Sequence, residues 1–331
     1  MAGLLAPAGA ANARLLGLGV YRPSRVVPNS EIVDAIDSTD EWIRTRSGIV
    51  ERRWATPEET VQVMSVAAAK DALADAGVDA RQIDCVIVAT VSHLSQTPAI
   101  ATAIAHELGT EQAAAFDISA ACAGFCHGVS MASDFIRGGS ARHVLVIGVE
   151  RLSDITDGTD RGTAFIFADG AGAVVVGPSD EPGIGPVVWG SDGERADLIA
   201  QRELWPEALA TGRMPHLTMQ GNPVFRWASF AMAKIGLEAL DRAGLTVDDL
   251  DCFVPHQANM RIVDALARSM KLPERVRIAR DIAEMGNTSA ASIPLALERM
   301  KRDGEAKSGD TALFIAFGAG LAYAAQVVIV P

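Results

Sequence analysis

Continuously apolar runs alternate along the chain with segments of helical periodicity. Residues 144–149 and 171–176 are continuously apolar runs, which are typical of strands buried on both faces of a sheet, and residues 113–118 also have the pattern of a strand. Between residues 118 and 144, apolar residues recur at helical spacing from Phe125 to Ile136, and two glycines then end the pattern. This alternation predicts α/β layers packed around a large core.

Part of the pattern occurs twice, 167 residues apart. Residues 72–85 have the pattern of an amphipathic helix, a glycine stop, an acidic turn and the start of a strand, and residues 239–252 repeat that order. A second echo pairs residues 170–172 with residues 318–320, both Gly-Ala-Gly. Chance similarity in an alanine-rich chain is the alternative explanation. The repeat favours an internal duplication.

The duplication predicts two related α/β halves, residues 1–178 and 179–331. The turn-rich stretch 177–183 is suited to a crossover between them. Residues 311–331 carry no charge, but glycines and a glutamine interrupt them and leave pieces shorter than the ~20 apolar residues that a bilayer requires. We therefore expect two strands around a tight turn at this end of the chain, and no membrane association.

Composition and charge exclude several classes of protein. With 49% hydrophobic and 21% charged residues the chain is globular, and a net charge of -12 argues against nucleic-acid binding. Four cysteines are too few for a disulfide scaffold, which indicates a reducing compartment. Residues 1–13 contain no Lys or Arg, unlike the positive start of a secretory signal. We expect a cytoplasmic protein.

Cys122 is the candidate nucleophile. It follows the predicted strand 113–118, within a run of small residues that enters a helix. A helix dipole favours a thiolate by about 0.3–1 kcal/mol. Burial acts in the opposite direction, so a nucleophile here needs a further partner such as a histidine. The alternative is an inert buried cysteine.

A metal or redox pair formed with Cys126, next to His127, is a further alternative. The C-x3-C-H spacing lacks the second ligand pair of a structural zinc site, so no metal is expected.

Two residues of the second half are candidate partners for Cys122. His256 follows a short apolar strand, at a place where loops commonly carry chemistry. Asn287 lies 31 residues later, in a run of small polar residues that opens another helix. An imidazole and an amide can each donate a hydrogen bond to an oxyanion. The alternatives are a hydrogen-bonded core histidine and a helix cap.

Three ordered motifs make the pattern specific. Cys122 in D-I-S-A-A-C-A-G-F, His256 in V-P-H-Q-A-N and Asn287 in G-N-T-S-A-A-S resemble the Cys–His–Asn triad of β-ketoacyl-acyl-carrier-protein synthase III. This family contains the initiating condensing enzymes of the thiolase fold. The resemblance covers nearly the whole chain and includes residues 37–49, 160–173 and 317–320. It implies a thiolase fold, in which duplicated βαβαβ halves form a five-layer α/β/α/β/α sandwich.

The resemblance also implies a mechanism. Cys122 would take the acyl group of an acyl-CoA, and malonyl-acyl carrier protein would lose CO2 to give the carbanion that attacks the acyl-enzyme. His256 and Asn287 would stabilise the charge that decarboxylation develops. The backbone N–H groups of Cys122 and Ala319 would form the oxyanion hole, where the family usually has glycine in place of Ala319. Acyl-CoA is then a substrate, and no permanently bound cofactor is expected.

Further sites carry over residue by residue from the family. The CoA cleft would be formed by Trp42, which stacks on adenine, and by Arg46, Arg161, Phe225, Asn259 and Arg261. From the residues alone, the expected alternatives are that Trp42 is an aromatic residue of the core and that Arg46 is a solvated surface charge.

Carrier proteins are acidic, so a chain of this net charge needs a local basic patch. Residues 261–280 carry six basic residues against two acidic ones, and we expect carrier-protein docking at Arg261, Arg268 and Arg226. The alternative is a solvated helix face.

The family is homodimeric, and a partner residue closes the floor of the acyl pocket. The aligned residue here is Thr97, where several acetyl-specific members have a bulky aromatic residue. This predicts a wider pocket. We expect condensation of an acyl-CoA primer that initiates fatty-acid synthesis. The alternatives are the priming ketosynthase of a polyketide pathway with a non-acetyl starter, a non-condensing acyltransferase, and a CoA-binding module.

Overall fold

The computed structural model describes residue 4, residues 7–110 and residues 112–331. The expectation about residues 1–13 falls partly outside these. The described strands are β1 (Asn12–Tyr21), β2 (Arg25–Pro28), β3 (Glu51–Trp54), β4 (Cys85–Ala89), β5 (Ala114–Ile118), β6 (Val144–Arg151), β7 (Asp169–Ser179), β8 (Val188–Gly190), β9 (Ile199–Gln201), β10 (Leu217–Met219), β11 (Cys252–Pro255), β12 (Arg277–Ile278), β13 (Thr311–Phe317) and β14 (Tyr323–Ile329).

The described α-helices are α1 (Asp40–Ser47), α2 (Val61–Ala76), α3 (Ile100–Leu108), α4 (Gly124–Gly138), α5 (Trp205–Ala210), α6 (Gly221–Arg242), α7 (Met260–Ser269), α8 (Ile282–Met285) and α9 (Ser292–Arg302). Short 3-10 helices lie at Asn29–Glu31, Ala80–Gln82, Ala121–Ala123, Leu152–Ile155, Gly193–Leu198, Val247–Asp249, Ser289–Ala291 and Ala319–Leu321. Among the described residues, no helix is long and apolar enough to cross a membrane.

Two five-stranded sheets of identical topology organise the described residues. The first has the order β1-β7-β6-β4-β5, and the second, written from its own first strand, has the order β8-β14-β13-β11-β12. In each half the predicted βαβαβ unit is followed by one further helix and by two strands that pair antiparallel. The equivalent strand starts Cys85 and Cys252 both pair in parallel with the fourth strand of their half. The predicted duplication is confirmed.

The helices form layers around the two sheets. Apolar residues of α2 and α3 pack on one face of the first sheet. The helices α4 and α9 lie between the sheets, and α6 and α7 pack on the outer face of the second sheet. Because layers cover both faces of each sheet, β4 and β11 are buried along their whole length, which explains their continuously apolar sequences. The five-layer sandwich is confirmed.

Two details of the sequence interpretation are wrong. Residues 170–172 lie inside β7 whereas residues 318–320 follow β13, so the second Gly-Ala-Gly echo does not join equivalent positions. The predicted crossover at 177–183 begins too early, because β7 continues to Ser179, where it pairs with Asn12 of β1. The division of the chain at residue 178 remains a prediction. The strands expected within 311–331 are confirmed as β13 and β14.

Candidate active site

One cavity of about 320 Å³ brings together the residues of the three sequence motifs. Cys122, His256 and Asn287 line it. The same cavity is lined by the residues assigned to the CoA cleft, which are Trp42, Arg46, Arg161, Phe225, Asn259 and Arg261. The histidine and the asparagine are buried, whereas the three arginines are exposed. The cavity therefore runs from a basic mouth to a polar, water-poor end.

Cys122 lies where the two halves of the chain meet. It is the middle residue of the 3-10 helix that joins β5 to α4, close to the predicted helix N-terminus. The loop after β13 approaches it closely, since a Cβ added at Gly318 would lie 2.7 Å from the backbone nitrogen of Cys122. Glycine is therefore required at this crossing. The next residue, Ala319, lies with Cys122 on the wall of a second cavity.

The environment of Cys122 keeps its thiol protonated at neutral pH. Burial, with a smaller contribution from the nearby carboxyl group of Glu150, raises the pKa of Cys122 to about 12, although the side chain of Ser289 acts to lower it. Activation of the thiol therefore requires a proton acceptor or a strong stabilisation of the thiolate.

His256 is held as a neutral imidazole. It follows β11 and is 2% exposed, and burial lowers its pKa to about 3. Its Nδ1 lies 2.7 Å from Oγ of Ser292, and the backbone N–H of Gln257 donates to the same oxygen at 3.3 Å. The ring of Phe317 packs edge-on against the imidazole at 5.6 Å. Nε2 is the ring nitrogen left for a ligand.

Asn287 is fixed by its backbone and by its own amide oxygen. Its N–H donates to Ile166 at 2.8 Å, and its carbonyl accepts from Ala168 at 2.9 Å. Its Oδ1 accepts the N–H of Ser289 at 2.8 Å, but Thr288, not Asn287, is the N-cap residue of the 3-10 helix that follows. Because the oxygen is engaged, the amide nitrogen is the group that remains for a ligand.

The basic mouth combines aromatic faces with guanidinium groups. The guanidinium of Arg161 lies 4.8 Å from the centre of the Trp42 ring and that of Arg46 lies 5.8 Å from it, while Arg261 lies 4.9 Å from the Phe225 ring. In the described part of the chain, no carboxylate lines this cavity or pairs with these three arginines. Despite the net charge of -12, the mouth is suited to an anionic ligand.

The side chain of Asn259 is engaged within the protein at both ends. Its Oδ1 accepts the N–H of Arg261 and so caps α7, and its Nδ2 donates to the carbonyl of Arg46 at 3.0 Å. The side chain thus positions two of the arginines of the mouth. Its predicted contact with CoA stays a prediction.

A second cavity of about 510 Å³ also has Cys122 in its wall. Its apolar lining includes Leu94, Phe167, Trp205 and Leu217. Thr97 is exposed and does not line this cavity within the chain. Its predicted role requires a partner subunit and stays a prediction.

The basic patch is smaller than the sequence indicates. Arg277 and Arg280 form ion pairs with acidic residues, and Arg275 donates to backbone carbonyls. Arg226 and Arg268 are exposed and, over the described ranges, form no ion pair. The predicted docking residues Arg226, Arg268 and Arg261 thus remain available on the surface, and Lys271 of the same patch is likewise exposed without an ion pair over the described ranges.

The alternative for Cys126 does not fit the structure. Cys126 is fully buried in the core, and burial raises the pKa of its thiol. The neighbouring His127 stacks on Trp189 at 5.5 Å. Across the described ranges, no cluster of three or more His, Cys, Asp or Glu side chains is arranged to hold a metal ion.

Several site residues were missed at the level of sequence. Ser292 holds His256, Ser289 contacts both Asn287 and Cys122, and Glu150 lies behind Ser289. The two serines belong to the same run of small residues as Asn287, and that run could have indicated them as site residues. Glu150 follows an apolar run, and nothing in its local sequence indicates a place in the site.

Comparisons with known proteins agree with this architecture. A family model described as 3-oxoacyl-[acyl-carrier-protein (ACP)] synthase III matches residues 116–193, and its C-terminal counterpart matches residues 240–330. Beta-ketoacyl-[acyl-carrier-protein] synthase III 1 of Streptomyces coelicolor is 60% identical to this chain, and the corresponding synthase III of Streptomyces glaucescens is 61% identical. Each alignment covers 98% of both chains.

The solved structures extend this likeness to three dimensions. The priming β-ketosynthase of the R1128 polyketide biosynthetic pathway matches with a TM-score of 0.97 and 51% identity, over 100% of this chain and 99% of that one. Fold and sequence together define an acyltransferase of the thiolase fold. The chain belongs to the β-ketoacyl-[acyl-carrier-protein] synthase III family.

Proposed function

We propose that this chain condenses an acyl-CoA primer with malonyl-acyl carrier protein through an acyl-enzyme on Cys122. The observation that carries the proposal is the single cavity described above, in which Cys122, His256 and Asn287 occupy the end reached from a mouth of three arginines. A nucleophile, two neutral hydrogen-bond donors and an anion-binding entrance are the parts that such a reaction needs.

In the first half-reaction, the sulfur of Cys122 attacks the thioester carbon of acyl-CoA. The carbon–sulfur bond to CoA breaks, and the acyl group remains on the enzyme while CoA leaves. The N–H groups of Cys122 and Ala319 stabilise the tetrahedral oxyanion. The N–H groups in the first turn of a helix have no partner inside that helix, and Cys122 and Ala319 both lie in the first turn of short 3-10 helices.

In the second half-reaction, malonyl-acyl carrier protein loses CO2, and the electron pair of the broken bond passes into the thioester enolate. His256 donates from Nε2 and Asn287 from its amide nitrogen to the enolate oxygen. We assign the imidazole proton to Nε2, because Ser292 accepts from Gln257 and has its own hydroxyl proton to donate to Nδ1. The carbanion then attacks the acyl-enzyme, and Cys122 leaves as a thiolate that solvent reprotonates.

The mouth of the cavity binds the nucleotide part of CoA. Adenine stacks on the indole of Trp42, in place of the guanidinium of Arg161, which lies 4.8 Å from the centre of that ring and has to move aside. Arg46 and Arg261 bind phosphate oxygens, and Phe225 forms part of the wall beside the pantetheine arm. The exposed Arg226 and Arg268 serve the carrier protein, as they have no acidic partner of their own within the described residues.

The second cavity accommodates the acyl group, because Cys122 lines both cavities. In this proposal the enzyme is a cytoplasmic homodimer, and Thr97 of one subunit closes the acyl pocket of the other. The chain supports this in one respect. The described strand β5 is an edge strand of the first sheet, and its residues are not fully buried.

A second candidate function is the priming of a polyketide pathway with a starter larger than acetyl. The TM-score of 0.97 to the R1128 priming ketosynthase favours it, as does the size of the second cavity. The two functions share their chemistry and differ in the primer.

Intact-mass analysis with a panel of acyl-CoA esters tests the proposal. We expect a single acyl adduct on wild-type enzyme, its loss in Cys122→Ala, and its retention in the matched variant Cys126→Ala. An adduct that persists in Cys122→Ala and maps to Cys126 would refute the nucleophile assignment. Loading of short esters such as acetyl-, propionyl- and butyryl-CoA is compatible with both roles, and rejection of acetyl-CoA in favour of a larger starter supports polyketide priming.

A further inference from the structure

The first half of the chain holds a buried carboxyl group that the condensation mechanism leaves unused. Glu150 lies near the end of β6 and is 0% exposed. Its Oε2 accepts hydrogen bonds from the hydroxyl of Thr90 at 3.2 Å, the N–H of Val91 at 3.1 Å and the hydroxyl of Ser92 at 2.5 Å. Three donors therefore fix one oxygen of the carboxyl group.

The other oxygen is directed toward the nucleophile. Oε1 of Glu150 accepts from the hydroxyl of Ser289 at 3.1 Å. Ser289 and Cys122 line the same cavity, and the Ser289 side chain stabilises the thiolate of Cys122 and so lowers the thiol pKa. Ser289 is therefore the residue placed to pass a proton from the sulfur to the carboxyl oxygen. Across the described residues no cation pairs with Glu150, and the neighbouring Arg151 pairs with Asp154 instead.

This arrangement constrains how a thiolate can form. A thiolate beside an ionised, buried carboxylate would place two negative charges in one water-poor site, which is unfavourable. Transfer of the thiol proton to the carboxylate leaves the site with one negative charge throughout. We propose that Glu150 accepts the thiol proton of Cys122 through the hydroxyl of Ser289 when the acyl group is loaded. The inference rests on the proposed function of Cys122 as the nucleophile.

The proton movements balance within one turnover of loading. The Cys122 proton passes to Oγ of Ser289 while the serine proton passes to Oε1 of Glu150. The sulfur then bonds to the acyl carbon, and the bond from that carbon to the CoA sulfur breaks. The CoA thiolate then takes a proton from Oγ of Ser289, and Glu150 returns its proton to the serine. Thiol plus acyl-CoA gives acyl-enzyme plus CoA thiol, and Glu150 returns to its ionised form.

The alternative acceptor is unsuited to this role. Nδ1 of His256 is occupied by Ser292, and burial lowers the pKa of the imidazole to about 3, which makes it a weak base. Burial raises the pKa of Glu150 to about 7, close to the value at which a proton acceptor is most effective at neutral pH. Cys122 is the titratable group that Glu150 faces through Ser289, and its remaining contacts are uncharged.

The first test is the pH dependence of acyl loading in Glu150→Gln, measured by rapid quench and intact mass. The matched control is Asp169→Asn, which removes another fully buried carboxylate that is held by the N–H of Ala55 and by Ser153. We expect Glu150→Gln to load about 10²-fold more slowly near pH 7 and to recover as alkaline pH ionises the thiol directly. Asp169→Asn should keep the wild-type profile.

A second variant keeps the test decisive if Glu150→Gln does not fold. Ser289→Ala breaks the path and leaves Glu150 three of its four donors, so it should show the same loss and the same alkaline recovery. Glu150→Asp should restore part of the neutral-pH rate. Loading of both variants within threefold of wild type would overturn the relay, and so would an equal loss at every pH. Either result leaves the wild-type adduct on Cys122 intact, whereas failure of the proposed function removes that adduct.

Discussion

The buried neutral imidazole of His256 makes folded stability sensitive to acid. Burial lowers its pKa from 6.5 to about 3. The unfolded chain therefore binds a proton near the ordinary value, while the folded chain does not bind one until the pH is much lower. The stability that this residue contributes is present above the ordinary pKa and is lost as the pH falls through it. Between about pH 7 and pH 5 the loss amounts to about 2 kcal/mol.

Two buried carboxyl groups act with the opposite sign. Burial raises the pKa of Glu150 to about 7 and that of Asp169 to about 6. In the same pH range the folded chain takes up protons at these groups before the unfolded chain does, so acid favours the folded state. The pH dependence of the wild type is a sum of opposing contributions. The difference between the wild type and a His256 variant isolates the histidine.

The assay is urea unfolding of wild type and His256→Gln near pH 7 and near pH 5. We expect the free energy of unfolding of His256→Gln to fall by about 2 kcal/mol less than that of the wild type over this range. Leu266→Ala is the control, because it destabilises a fully buried site without a titratable group and should keep the wild-type pH dependence. The same decrease in wild type and His256→Gln would show that the imidazole is not held neutral.

Three further predictions concern the separate steps of the reaction. Asn287→Ala should lower the condensation rate about 10²–10³-fold, because one oxyanion donor is removed, and should still load the acyl group on Cys122. Loss of the acyl adduct in intact-mass analysis would contradict this separation of loading from condensation. Arg268→Glu should raise the apparent KM for malonyl-acyl carrier protein, and added salt should raise the KM of the wild type in the same way. The control Arg137→Glu on α4 should leave the KM unchanged. An unchanged KM for Arg268→Glu at low salt would show that Arg268 is not part of the docking surface. Wild type should load propionyl- or butyryl-CoA at least as well as acetyl-CoA, because each further buried methylene of the primer is worth about 0.8 kcal/mol. Thr97→Phe should shift the preference in kcat/KM toward acetyl-CoA. A strong preference of the wild type for acetyl-CoA would contradict the open pocket.

The layers of the fold were predictable because burial leaves a direct mark on sequence. Strands covered on both faces read as unbroken apolar runs, and the repeated helix-to-strand segment marked the duplication. The residues of the site were harder to predict from the sequence. Cys122, His256 and Asn287 lie on separate segments, and only the meeting of the two sheets brings them to one cavity. Family motifs, and not spacing, connected them in the sequence.

The residues that were missed act through contacts that no local pattern encodes. Ser292 is one of several serines near Asn287, and its bond to His256 depends on the packing of α9 beside β11. A glutamate at a strand end ordinarily indicates an exposed position, yet Glu150 is buried because polar groups of the loop after β4 satisfy it. Such positions follow from tertiary structure alone.

The duplication itself explains why an acid lies at this point. Cys85 pairs with Val144 in the first sheet, and the equivalent Cys252 pairs with Ala312 in the second. Six residues after Val144 in β6 is Glu150, and six residues after Ala312 in β13 is Gly318. Glu150 and Gly318 therefore occupy equivalent positions in the two halves. Each therefore stands where the fourth strand of its half crosses the start of a central helix.

The two crossings occupy equivalent positions in the fold but are suited to different chemical roles. Ala121 and Ser289 open the equivalent 3-10 helices, and both have a positive φ, 46° and 48°. A Cβ at Gly318 would lie 3.1 Å from the side chain of Ala121, whereas the carboxyl group of Glu150 binds the hydroxyl of Ser289. At one crossing, glycine lets a backbone approach the nucleophile, which suits an oxyanion hole. At the other crossing, a serine and an acid take the equivalent places, which suits a proton relay to Cys122.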